Sequence, residues 1–267
     1  MNKAGISPVI STVILTAVLM AVTIAAAMVS YDALRGQMAE MEFNAVKDEF
    51  RELAELLNRD SWIENTTHAV RVRCRFGGPM VVVTSDNLTV GVKSLINAFE
   101  PVNLTTLTNV TYLGYKSRYV TVGGEEYLVG NKSLVVNGDE VASVYTGLMR
   151  ETLIRFDTLR VGVINAGNVS INGENWNYVV LRLIKLVKGS TGGAELFTIR
   201  WTTINVSSFT RLINTSLNNL TIVVYHSFFD RYGNLSYTVA EKTITLNPEA
   251  NGTVVTVIVA TVRVDVV

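Results

Sequence analysis

The chain has 267 residues, of which 23 are basic and 23 acidic, and the formal net charge of +0 offers no electrostatic footprint for nucleic acid or another polyanion. Charged residues make up 17% of the chain, below the roughly 25% usual in soluble domains, and Asn, Ser and Thr supply the missing polarity. The length allows one or two globular units beside an opening segment, and a lone cysteine, Cys74, excludes an intramolecular disulfide.

The chain opens MNKAGISPVISTVILTAVLMAVTIAAAMVSYDALRG, with no charge between Lys3 and Asp32. Ile6 to Tyr31 is long enough to cross a hydrocarbon layer, which takes ~20 apolar residues. Three readings fit such a run: a cleaved secretory signal, a permanent membrane anchor, or a helix that later leaves the membrane. An ordinary secretory signal ends in a small-residue cut site. Small residues do occur at Ala25 to Ala27, but the apolar character runs on past them. From Asp32 onward apolar residues recur at Leu34, Met38, Met41, Val46, Phe50, Leu53 and Leu57, a helical spacing with charges between. Ser7 is a favoured N-cap and Pro8 suits the first helical position. The expectation is one helix from about Pro8 to Leu57, on the order of 75 Å long, apolar all round in its first half and amphipathic in its second, with Gly36 its one weak point. Residues 1–5 then form a leader, 6–59 the helix and 60–267 a head.

After Asp60 the pattern turns to period two. In AVRVRCRF, Val70, Val72, Cys74 and Phe76 alternate with arginines, which makes Cys74 a core residue of a strand. Further strands are expected at PMVVVT, LTVGV, SRYVTVG, KSLVVNG, LRVGVIN, NYVVLRLIKLV, LFTIRWTTI, LTIVVYHSFF and GTVVTVIVATVRVDV, with hairpin signals at Asn137–Glu140 and Asp230–Asn234. TGLMRETLIRF, Thr146 to Phe156, is the one downstream stretch with helical potential, and a subdivision of the head would fall near 146–157. The closing apolar run from Val254 to Ala260 is too short for a second span and reads as a strand, which leaves the head on one side of the membrane. The fold class is α+β: a long N-terminal hydrophobic helix followed by an all-β, Ig-like sandwich head.

Eleven N-x-S/T sequons, at Asn65, Asn87, Asn103, Asn109, Asn131, Asn168, Asn205, Asn214, Asn219, Asn234 and Asn251, all fall after Asp60. Chance placement of these residue types predicts roughly 4. A Thr-rich β-domain accumulates such triplets by composition; the functional reading is an exported head carrying N-linked glycans. Lys3 agrees with a cytoplasmic N-terminus.

The short basic leader ending in glycine, followed by ISPVIST and an uncharged helix, resembles the archaeal type IV pilin group, with its archaellin relatives. The resemblance covers about Lys3 to Val29 and implies that a class III signal peptidase, a membrane aspartic protease, cuts between Gly5 and Ile6. It further implies that a pilus assembly platform in the membrane extracts the freed helices, which bundle into the core of an extracellular filament with β-rich heads outside. Ile6, Ser7, Pro8, Val9 and Ile10 match the typical opening. Two departures stand out. Ala4 occupies the place before the cut where a charge is common, with Lys3 one step further away, so a cut after Ala4 is the alternative. Ile10 occupies the fifth mature position, where bacterial relatives carry a glutamate. Without a buried carboxylate, register among bundled helices must come from shape, with Ile10, Ile14, Ala17, Ala21, Ala25 and Met28 as the packing residues.

Signals for an enzyme are weak. His68 and His226 are the only histidines and neither has a second ligand at zinc-like spacing. There is no Gly-rich phosphate loop, no G-x-S-x-G and no H-E-x-x-H. Glu125–Glu126 and Asp139–Glu140 read as charged turns without a calcium loop. The expectation is a non-enzymatic, cofactor-free filament subunit for adhesion or cell contact, present on the cell surface after residence in the cytoplasmic membrane. The competing readings are a single-pass anchored surface receptor or solute-binding module and an archaellum subunit for motility.

Overall fold

The computed structural model describes residues 8–93, 102–149, 152–192, 196–213, 219–229 and 233–267. The processing-site residues Lys3, Ala4, Gly5 and Ile6, the N-cap Ser7 and the sequon Asn214 lie outside them.

Helix α1 runs without a break from Pro8 to Asp60, through Gly36, and its 53 residues span ~80 Å. Its second half buries Ala39, Phe43, Val46, Phe50, Leu53, Ala54 and Leu57 against the head. The expected stripe therefore holds from Val46 to Leu57 and fails above it. Leu34, Met38 and Met41 are exposed, Met41 at 72%. At ~100° per residue they lie on average roughly 140° round the axis from the buried face.

The head contains fifteen strands among the described residues. The first seven are β1 (Thr67–Arg73), β2 (Gly77–Val83), β3 (Asn87–Lys93), β4 (Val102–Thr108), β5 (Thr111–Ser117), β6 (Glu126–Val129) and β7 (Val135–Asn137). Then follow β8 (Ser143–Met149), β9 (Thr152–Asp157), β10 (Val161–Ile171), β11 (Glu174–Thr191), β12 (Leu196–Ile213), β13 (Asn219–Phe229), β14 (Leu235–Thr245) and β15 (Thr253–Val266). They form a six-stranded sheet ordered β1-β12-β15-β11-β10-β7, a four-stranded sheet β14-β13-β3-β4 and a five-stranded sheet β2-β5-β9-β8-β6. The head is thus mostly β, but an Ig-like sandwich is not confirmed. There are three sheets rather than two, and the β11–β15 and β7–β10 pairs run parallel.

The alternation of side chains along β11 and β15 explains the layering. Val179, Leu181, Leu183, Val255 and Val257 point to one face and meet the four-stranded sheet through Leu88, Val90, Ile222 and Val224. Ile184, Leu186, Ala260, Val262 and Val264 point to the other and meet the five-stranded sheet and the lower half of α1. One long sheet is consequently lined on opposite faces toward its opposite ends. Each half is dry, and one of the two cores is where the helix is fastened.

Three local expectations change. The described residues of Thr146–Phe156 are strand rather than helix: Thr146 pairs with Ile154 across β8 and β9, and cross-strand burial of Val144, Ile154 and Phe156 overrides the helical spacing. SRYVTVG is not a strand beyond Ser117, although Val120 and Val122 still pack on the core. The turn at Asn137–Glu140 exists, with Gly138 at φ +76°, but it carries the chain from the six-stranded to the five-stranded sheet instead of closing a hairpin. The hairpin around Asp230–Asn234 does form, since Phe229 faces Leu235, though residues 230–232 lie outside the described set.

Candidate functional sites

Three surfaces bear on function: the bare helix, the sequons and a cleft in the head. Along the helix, Ile10, Ile14, Ala17, Ala21, Ala25 and Met28 are spaced by three and four residues, so they share one face, and all are exposed. Pro8 is the first described residue of the helix. The Thr16 and Thr23 hydroxyls donate to the carbonyls of Thr12 and Leu19 at 2.8 Å, which satisfies them without solvent. The helix is long and apolar enough to cross a membrane, and none of that window is covered by the head.

The junction between helix and head is built on a residue the sequence reading passed over. Glu42 accepts from the backbone N–H of Arg75 at 2.6 Å and of Phe76 at 3.0 Å, and from the Tyr115 hydroxyl at 2.7 Å. Gly77 makes room, because a Cβ there would sit 2.3 Å from the Tyr115 hydroxyl. Burial, with Glu42 nearby, pushes the Cys74 thiol up to about 12, so it stays protonated and inert at neutral pH. At the far end of the helix the Asn58 side chain accepts from the Ala142 N–H at 2.7 Å, and His68 lies 3.0 Å from Asp60.

Of the ten described sequons, Asn65, Asn103, Asn109, Asn131, Asn168, Asn205, Asn219, Asn234 and Asn251 are exposed and Asn87 is half-buried. Several of their threonines have structural work. Thr67 bonds Thr202, Thr89 bonds Thr106 and Thr221 bonds Thr243, each across a strand pair at 3.0 to 3.1 Å.

A cleft of about 590 Å³ opens between the five- and four-stranded sheets. Its floor comes from β8, β9 and the Leu159–Arg160 step, and its far wall from His226 and Phe228 on β13. Asp157 accepts from Ser143 at 2.9 Å and Tyr145 at 3.0 Å and faces Arg155 at 3.1 Å. The Arg155 guanidinium lies 4.1 Å over the Tyr112 ring. Lys132 pairs with Glu125 at 2.7 Å, and His226 lies 3.7 Å from Asp86 with its ring stacked on Phe228. Arg155 Nε and His226 Nε2 are likewise buried without a hydrogen-bond partner, but each faces a carboxylate, at 3.1 and 3.7 Å, whereas no such pair is found for Arg160 among the described residues. It is 3% exposed, and its buried Nη1 has no hydrogen-bond partner. Burial holds its guanidinium below the ordinary range against the opposing pull of Asp157. Gly130, at φ +78°, holds a left-handed backbone conformation that favours glycine, and a Cβ there would meet the Arg160 guanidinium.

The sequence does not bring these groups together: Glu125, in a charged turn, and His226, without a second ligand at zinc-like spacing, stand about a hundred residues apart. The one signal was local, the alternation in ETLIRFDTLR that puts charges on an otherwise apolar strand pair. Comparison of the chain with family models, curated proteins and solved structures returned no match.

Proposed function

We propose that the chain is a pilin, the structural subunit of an extracellular type IV pilus-like filament, with α1 in the filament core and the β-head outside. The observation that carries this reading is the reach of uncovered apolar surface on the helix. A simple anchor needs ~20 apolar residues. Here Leu34, Met38 and Met41 extend the exposed stripe past Asp32 and Arg35, on a side of the helix that the chain's own head leaves free. Ile10, Val13, Ile14, Leu15, Val18, Leu19, Met20, Val22, Ile24, Met28 and Val29 are each more than half exposed. Covering them is worth on the order of 20 kcal/mol. Copies of the same helix are the cover that suits both the membrane run and its extension.

The leader supports the same reading, since it resembles a class III processing site at Gly5–Ile6. In this account a signal peptidase and an assembly platform handle the precursor in the cytoplasmic membrane, head outward, and the mature chain polymerises at the cell surface. The sheet-on-sheet head, sandwich-like in its layering, carries N-glycans on the exposed sequons and serves adhesion or cell contact. The single-pass receptor or solute-binding module is the second reading, favoured by the cleft. An archaellum subunit ranks third because the Ser7-Pro8-Val9-Ile10 opening looks more like the adhesive pilins.

Gly5→Val and Lys3→Glu test this directly. Both should block maturation and leave monomer in the membrane, and undiminished filaments from both variants would count against the proposal.

A further inference from the structure

In the head cleft Arg155 faces Asp157 and Lys132 faces Glu125, while His226 lies beside Asp86. No carboxylate among the described residues pairs with Arg160 within salt-bridge distance. A guanidinium that is 3% exposed and leaves Nη1 without an acceptor is costly to keep. It lines the floor of a cavity whose volume falls in the roughly 300–1,000 Å³ range of ligand sites. The surroundings narrow the ligand. Asp86, Glu125 and Asp157 would repel a polyanion such as a phosphate ester, while Asp86 and Glu125 can accept hydrogen bonds from hydroxyls. Tyr127 and Tyr145, with ring centroids 5.1 Å apart, offer aromatic faces with polar tips beside them. A molecule bearing one carboxylate, several hydroxyls and an apolar ring face satisfies all three conditions.

We propose that the cleft binds an acidic sugar, with its single carboxylate on Arg160, its hydroxyls on Asp86 and Glu125 and its ring against Tyr127. The site belongs to the head and uses none of the helix surface, so it stands or falls independently of polymerisation.

Calorimetric titration of the full-length chain in detergent tests it, with methyl glucuronide, methyl galacturonide and N-acetylneuraminate as probes and methyl glucoside and acetate as controls. At least one acidic sugar should bind saturably, with both controls ~10-fold or more weaker. Arg160→Met should erase the preference for the acidic sugar while leaving the melting temperature unchanged or higher, since it removes a buried unpaired charge. A purely structural arginine would instead lower it. Tyr127→Ala, at the half-buried rim, is the second variant, and should weaken the sugar ~10-fold without changing acetate. No binding by any acidic probe, acetate binding as tightly as the sugar, or undiminished binding in either variant would overturn the proposal.

Discussion

Asp265 is 2% exposed and accepts from the Ser190 N–H at 2.8 Å, with Arg200 at 3.2 Å and Arg263 at 3.4 Å. Burial pushes its carboxyl up, but the Ser190 bond and the two arginines outweigh it and hold it below the ordinary carboxylate range. A depressed folded-state value means stability that is present above the unfolded pKa and lost as pH falls through the folded one. Asp265→Asn should therefore cost about 1–3 kcal/mol at neutral pH. The gap from wild type should close below about pH 4, which denaturant titrations at both pH values would measure. Glu42→Gln keeps one acceptor oxygen but loses the charge, so about 1–3 kcal/mol of head stability should go with it. At this scale the sequence was least informative. Glu42 sits among the helix charges, and the groups that define it lie 33 or more residues away; Arg160 owes its burial to packing against Gly130 and Tyr127, which the local sequence does not reveal. Cys74 was legible because strand alternation alone decides its face.

At the level of elements, the helix was almost fully readable. A charge-free run, a proline at the start and apolar steps of three and four leave few other structures for Pro8–Asp60. What the pattern could not show is which apolar residues the head would cover. Phe50 is fully buried, so Phe50→Ala should destabilise the head by about 3–5 kcal/mol. Met41→Glu, at a position 72% exposed, should leave thermal unfolding of the head within about 0.5 kcal/mol of wild type while abolishing filaments in electron micrographs. Normal filaments from Met41→Glu would remove the outward stripe from the assembly surface. Among strands, those with long Val/Ile runs were legible, whereas Thr146–Phe156 was ambiguous in period and was decided by the pairing of β8 with β9 and the burial of that pair in the core. The β10–β11 hairpin carries a plain signal that went unread: Asn172 and Gly173, both at positive φ, close a two-residue turn between Ile171 and Glu174.

For the whole molecule, the contrast is between a head with two dry cores and a helix whose first half is bare. Sheet order was beyond the sequence, because parallel pairing of β11 with β15 joins residues about seventy-five apart. The bare helix was visible from the start, and it is what ties architecture to function. A chain with net charge +0 has little long-range repulsion to hold copies apart once such helices are brought together. The central claim is that the helix is processed and then covered by other copies of itself. Mass spectrometry of the N-terminal peptide from protein sheared off the cell surface tests it most directly. The account predicts a start at Ile6, or at Gly5 if the cut follows Ala4, in high-mass material released without detergent. Intact Met1 in protein that only detergent releases would contradict it and favour the anchored module, and a start near Ser30 would mean an ordinary secreted head.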